Sequence, residues 1–207
     1  MDVLELYLAR HGQSQDNENG LIQGQTSTPL SPLGERQAAC LGNYISNIPF
    51  DAVYCSDLER AVQTAKIAVP DIDPVPCPEL REWHLGVLQK HTREECKILF
   101  PYAWEILCSG IRDDRKIPGG ESMNDMIARS TGLVGRIAEK HRQGRVLIVS
   151  HGGTIRALYR GLMGEDNVPG LVNASLSRMD FRDGNWSLNF WNEYSYLEQL
   201  VSNNGEH

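Results

Sequence analysis

Two stretches of the chain repeat one event: "LYLARHG" from Leu6 and "LIVSHGG" from Leu147 each run an apolar segment into histidine followed by glycine. Apolar runs of this kind suit strands buried on both faces, as in a parallel sheet. Glycine behind each histidine lets the backbone turn sharply and approach a ligand closely. Ligands of open α/β sheets bind beyond the carboxyl ends of the strands, so parallel neighbours ending this way would aim His11 and His151 into one crevice.

The rest of the chain alternates to match. Ser31 is placed to cap a helix that Pro32 opens, with Leu33, Ala38, Leu41, Ile45 and Ile48 at helical spacing. Val53-Tyr54-Cys55 reads as a short strand and Asp57 onward as a helix through Ala61, Thr64, Ala65 and Ile67. Pro70, Pro74, Pro76 and Pro78 break the middle into loops, with helical stretches around Glu94 to Leu107, and this is the place for a lid. Ser122 to His141 predicts a helix, Val146 to Val149 a buried strand, and Thr154 to Met163 a helix ended by Gly164. Met179 and Phe181, then Trp186, Leu188 and Phe190, alternate about the turn signal Asp183-Gly184 and predict an antiparallel edge strand.

The expected fold class is therefore α/β. It is a single domain over residues 1–207, with a mostly parallel mixed sheet, an antiparallel edge strand and helices on both faces. The apolar edge strand leaves two coverings open, a second copy of the chain in a homodimer or the chain itself.

A formal charge of −7 argues against a nucleic-acid partner, which would require a surplus of Lys and Arg on one face. No apolar run reaches membrane-spanning length and no charged segment leads into an apolar one at the start, so a cytoplasmic protein without a membrane partner is expected. The five cysteines are odd in number and contain no C-x-x-C pair, which predicts reduced thiols. His84 and His91 near Glu94 and Glu95 match no metal-ligand spacing, and neither a metal nor a cofactor is expected.

A third segment, "YCSDLERAVQTA" from Tyr54, also follows a short strand and adds Arg60 on the first turn of a helix. Taken singly, a strand-end histidine is more often a structural hydrogen-bonding residue, and Arg60 a surface arginine. Taken together, Arg10, His11, Arg60 and His151 make a basic pocket in an acidic chain, and fixed donors of that kind suit a phosphoryl group.

Arg10-His11-Gly12, Ser56-Asp57-Leu58 with Arg60-Ala61 and Gln63-Thr64-Ala65, Gly119-Gly120-Glu121-Ser122 and Ser150-His151-Gly152 occur in that order. With "QGQTSTPLSPLGERQA" from Gln23 and the closing "NWSLNFWNE", this set resembles the histidine phosphatase superfamily, in its phosphoglycerate mutase-like branch. The resemblance implies a phosphohistidine mechanism. His11 would be the nucleophile, with Arg10, Arg60 and His151 about the phosphate and Asn17 as a further donor. Gln23 and Gly152 join the substrate-binding set, and Glu82 would be the proton donor. An imidazole attacks only when neutral, and neighbouring cations favour that state. Glu82 must carry a proton to the leaving alkoxide, which apolar neighbours such as Trp83 would favour by desolvation.

Two departures from the family pattern stand out. Gln13 follows Arg-His-Gly where glutamate is usual, and Gly86-Val87-Leu88-Gln89-Lys90 stands where the acid loop usually reads Gly-x-Trp-Glu-Gly. The expected function is a metal-independent phosphatase acting on a small phosphorylated metabolite. Its rivals are a cofactor-dependent phosphoglycerate mutase and a non-catalytic phosphate-binding module. Mutases resembling this chain carry a longer insertion before the second histidine. The 151 − 82 = 69 positions from Glu82 to His151 must hold a helix and a strand, leaving little for a lid.

Overall fold

Leu4, Leu6 and Leu8 on one side of strand β1 (Leu4–Arg10), and Tyr7 and Ala9 on the other, are all buried. Burial on both faces is what a central strand of a covered sheet requires. The computed structural model describes residues 2–109, 114–198 and 200. After β1 the chain forms α1 (Gln15–Glu18), α2 (Pro32–Ile45), β2 (Ala52–Ser56), α3 (Glu59–Ala68), β3 (Val75–Cys77), α4 (Arg93–Leu99) and α5 (Pro101–Ser109). It continues with α6 (Met123–Lys140), β4 (Gly144–Ser150), α7 (Gly152–Met163), β5 (Leu176–Arg182) and β6 (Asn185–Glu193).

The sheet order is β3-β2-β4-β1-β5-β6, with the first four strands parallel and β5 and β6 each antiparallel to its predecessor. The expected mostly parallel sheet is present, and its antiparallel part is a full hairpin of two strands. Asp183 (φ 51°) and Gly184 (φ 82°) make its turn in the left-handed region that two-residue hairpins demand.

Helices cover both faces. Leu133, Val134 and Ile137 of α6, with Ile155 and Leu158 of α7, pack on Leu6, Leu8, Val146 and Ile148. Leu41 and Ile45 of α2, with Ala61 and Ala65 of α3, pack on Tyr7, Ala9, Val53, Leu147 and Val149 on the other side. Each fully buried side chain of this size contributes about 1.5–3 kcal/mol relative to exposure. Helix α2 starts as expected: the Ser31 hydroxyl accepts the Gly34 amide and Pro32 takes the first turn. It stops at Ile45, and Ile48 reaches the same core from a following turn.

The middle segment forms the helical stretches expected around Glu94 to Leu107. Two helices form there, divided at Phe100-Pro101 because proline lacks the amide and disfavours helix in the residue before it. Cys96, Ala103 and Ile106 join Trp83, Leu85, Leu88, Met123 and Met126 in a third apolar cluster, so the interval expected to hold little cover holds a packed cap. Among the described residues no helix is long and apolar enough to cross a membrane.

Candidate active site

The register of β1 on β4 sets Arg10 opposite Ser150, so His11 and His151 leave neighbouring parallel strands at the same level. Their rings meet edge to face with centroids 5.0 Å apart. His11 Nδ1 lies 2.6 Å from the carbonyl oxygen of Gly12. A carbonyl only accepts, so Nδ1 carries the proton and the neutral ring keeps its lone pair on Nε2. His151 Nε2 lies 2.8 Å from the Ser56 hydroxyl, which also accepts the Leu58 amide. That hydroxyl's hydrogen is available to Nε2, an arrangement that leaves the His151 proton on the buried, unpartnered Nδ1.

Burial pushes the pKa of both imidazoles well below the ordinary histidine value, and the charges of Arg60 and Arg10 push the same way. Arg60 is 1% exposed, with Nη1 donating to Thr26 O and Nη2 to Gly24 O, each at 2.8 Å. Burial lowers its pKa to about 10 against the opposing charges of Glu82 and Asp16, so it remains a cation at neutral pH. Arg10 donates from Nη1 to Leu171 O. The Nε atoms of Arg10 and Arg60, like His151 Nδ1, are buried with no hydrogen-bond partner. Such orphaned donors cost free energy unless an acceptor meets them.

Glu82 shares a cleft of about 210 Å³ with Arg10, His11, Asn17, Gln23 and Arg60. Its carboxylate accepts the Trp83 amide (2.8 Å) and the Gly153 amide (3.0 Å). Trp83 meets Glu82 through its backbone, while its indole donates to Glu121 O. Arg129 pairs with Glu121 at 2.6 Å and donates to the carbonyls of Glu79 and Glu82, and Glu121 accepts the His84 amide. The Gly-Gly-Glu-Ser motif thus clamps the acid loop. Gly120 has to be glycine there, since a Cβ would lie 2.1 Å from His84 O.

Asn17 Oδ1 accepts from the Ser14 amide and from Asn173, which turns its amide nitrogen away from that side. Gln23 is buried with Oε1 held by the Ser14 hydroxyl at 2.8 Å. Gly152 lies against Arg10, and its neighbour Gly153 reaches the cleft itself. Gln13, at the first departure from the family pattern, accepts the Ser31 hydroxyl and joins the loop to the start of α2.

At the second departure, Gln89 accepts the Gln25 amide, and Lys90 Nζ pairs with Asp16 at 2.6 Å. Lys90 stands where the pattern has its last glycine, and its φ of 66° is a glycine-like one. The backbone turn is kept although the residue type is not.

The sequence reading gave no role to Ser56, Thr64, Gly153, Arg93 or Arg156. Ser56 orients His151, and Thr64 accepts the Gly12 amide at 3.1 Å. Both lay inside motifs already singled out. Arg93 and Arg156 line the cleft from α4 and α7, with no local pattern to announce them. No group of three His, Cys, Asp or Glu able to hold a metal ion occurs among the described residues.

A parallel sheet whose strand ends bring a neutral imidazole, buried guanidinium groups and a carboxylate to one small cleft defines an α/β enzyme that handles oxyanions. Residues 6–194 match the family described as "Histidine phosphatase superfamily (branch 1)". The chain belongs to that superfamily and is an enzyme of the phosphatase class. It is 34% identical over 206 residues to a metal-independent phosphoserine phosphatase of Arabidopsis thaliana, covering 96% of this chain and 85% of that one. Phosphoglycerate mutase-like protein 4 of the same plant is also 34% identical, with 96% and 89% covered. A mycobacterial glucosyl-3-phosphoglycerate phosphatase solved with VO3 superposes with a TM-score of 0.82 at 30% identity, covering 91% of this chain and 98% of that one.

Proposed function

We propose that the protein is a metal-independent cytoplasmic phosphatase that hydrolyses small phosphomonoesters through a phosphoryl group carried on His11 Nε2. The observation that carries this reading is the His11 tautomer: with Nδ1 bound to Gly12 O, the lone pair of a neutral ring is on Nε2. In the first step that lone pair attacks phosphorus, the ester P–O bond breaks, and the Glu82 carboxyl gives its proton to the departing alkoxide. In the second, the Glu82 carboxylate takes a proton from water as the water attacks phosphorus. The P–N bond breaks, returning neutral His11 and inorganic phosphate. Arg10 Nε, Arg60 Nε and His151 Nδ1 are the donors for the phosphoryl oxygens, with Asn17 and Gln23 further along the cleft and Gly152 backing Arg10. These fixed charges do the work that magnesium does in kinases. Five free thiols fit a reducing compartment.

The test is turnover of p-nitrophenyl phosphate with and without EDTA, combined with rapid acid and base quenching. The wild type should release phosphate in EDTA, be inhibited by vanadate and carry an acid-labile, base-stable phosphate on His11; His11→Ala should do none of these. Full activity in His11→Ala, or loss in EDTA restored by a divalent metal, overturns the mechanism. Formation of 2-phosphoglycerate from the 3-isomer faster than phosphate release would assign the chain to the mutases.

A further inference from the structure

The closing stretch "NWSLNFWNE" (Asn185–Glu193) carries part of the family resemblance, yet no step of the proposed reaction uses it. It leads into a short 3-10 turn (Ser195–Leu197) that lies against α2, where the Tyr196 ring stacks on Tyr44 with centroids 4.4 Å apart. From there the Tyr196 hydroxyl donates to Ala174 O, and Asn192 Oδ1 accepts the Val172 amide at 2.8 Å. Both contacts tie down segment 171–175, and that segment holds the end of β1. Arg10 donates from its amide to Ser175 O and from Nη1 to Leu171 O, while the Ala174 amide and Asn173 Nδ2 each donate to His11 O at 3.1 Å. On the other side of the same peptide, the Gly12 amide donates to Thr64 Oγ1.

Ala174 is fully buried and left-handed at φ 56°, a region that a side chain disfavours, so its hydrogen bonds must hold it there. We infer that Tyr196 is a positioning residue whose hydroxyl fixes Ala174 and, through it, the peptide that carries His11. The inference rests on the reading of His11 as the nucleophile. Without the hydroxyl, the buried Ala174 carbonyl loses that donor and the residue relaxes toward negative φ, drawing its amide away from His11 O. Attack on phosphorus tolerates little displacement of the attacking atom. Burial pushes the Tyr196 pKa above the ordinary tyrosine value, so the hydroxyl keeps its proton and stays a donor through neutral and mildly alkaline pH.

The test is Tyr196→Phe, which keeps the ring, its stack on Tyr44 and its apolar contacts and removes only the hydroxyl. Per folded molecule, kcat/KM for p-nitrophenyl phosphate should fall about tenfold, the rate equivalent of one net hydrogen bond. Inhibition by inorganic phosphate should stay as in the wild type, because the donors to the oxygens remain. The NMR resonance of the His11 Nδ1 proton should shift, with that of the His141 ring, before the start of β4, as the unmoved control. Ala174→Gly placed in Tyr196→Phe should restore most of the lost rate, because glycine holds a left-handed φ unaided. An unchanged kcat/KM in Tyr196→Phe, a loss of rate with the His11 resonance unmoved, an equal loss of phosphate inhibition, or no rescue by Ala174→Gly overturns the inference. If the wild type fails to hydrolyse p-nitrophenyl phosphate, the phosphatase reading falls instead. The His11 resonance then decides alone: a shift in Tyr196→Phe upholds the positioning role, and an unmoved resonance rejects it.

Discussion

The two glycines after His151 ask different things of the chain. A Cβ on Gly152 would sit 3.4 Å from Arg10 Nε, at the edge of ordinary contact, whereas one on Gly153 would sit 2.2 Å from Glu82 Oε1. The Glu82 side chain can swing aside, so Gly153→Ala should fold, but with the carboxyl displaced from the leaving oxygen. Loss of a general acid costs about a hundredfold or more. Gly153→Ala should therefore approach Glu82→Gln in its loss of kcat, with Gly152→Ala losing less. Both losses should be larger for alkyl phosphates than for p-nitrophenyl phosphate, whose leaving group departs without a proton. Equal sensitivity of the two ester types in either variant would remove Glu82 from the acid role.

At the scale of elements, the loop from Gln23 to Thr28 holds Arg60 by the carbonyls of Gly24 and Thr26, and the altered acid loop holds that segment in turn. Burial pushes the Asp16 carboxyl up, but hydrogen bonds from Lys90 and Thr28 and the charges of Lys90 and Arg60 outweigh it, leaving its pKa below 3.8. A depressed carboxylate contributes stability that is present above its unfolded pKa and lost as pH falls through the folded one, so the pair should persist down to about pH 4. Lys90 accepts a left-handed backbone at a cost of about 1–2 kcal/mol. Lys90→Gly relieves that strain and loses the pair; Lys90→Ala keeps the strain and loses the pair. Urea midpoints should rank Lys90→Gly above Lys90→Ala, and KM for phosphate esters should rise in both as the Arg60 cradle loosens. The reverse order of midpoints would deny the strain, and an unchanged KM would separate the loop from the site.

Strand ends and helix starts were legible because their signals are local. A buried apolar run ending in His-Gly, or a Ser-Pro before helical spacing, carries its meaning within ten residues. The roles of Gln89 and Lys90 depend on partners 64 and 74 positions away, and no local pattern encodes them. The same holds for Arg93 and Arg156, whose shared cleft is assembled only once α4 and α7 have packed. In the proline-broken middle the expected helices formed as α4 and α5, but the packing of Cys96, Ala103 and Ile106 that makes them a cap draws on distant partners and carries no local signal.

For the molecule as a whole, the site is a patch of positive charge buried in an acidic protein, which makes it a source of instability. His11 is 3% exposed and His151 fully buried, and both are held neutral because burial and the charges of Arg60 and Arg10 oppose protonation. In the unfolded chain each would protonate near the ordinary value of 6.5. Between that value and the much lower folded one, the unfolded state binds more protons, so stability rises with pH and falls as the solution is acidified. The slope approaches about 1.4 kcal/mol per pH unit for each histidine once pH is well below 6.5. In phosphate-free buffer the free energy of urea unfolding should therefore drop steeply between about pH 6.5 and 5, where most carboxylates are still charged. His151→Gln should remove about half of that slope, and nitrogen NMR of the wild type at pH 5.5 should still report a neutral His11 protonated on Nδ1. A stability that stays flat over this interval, or an imidazolium signal from His11 at pH 5.5, would contradict the burial of two neutral histidines and with it the resting state proposed for the nucleophile.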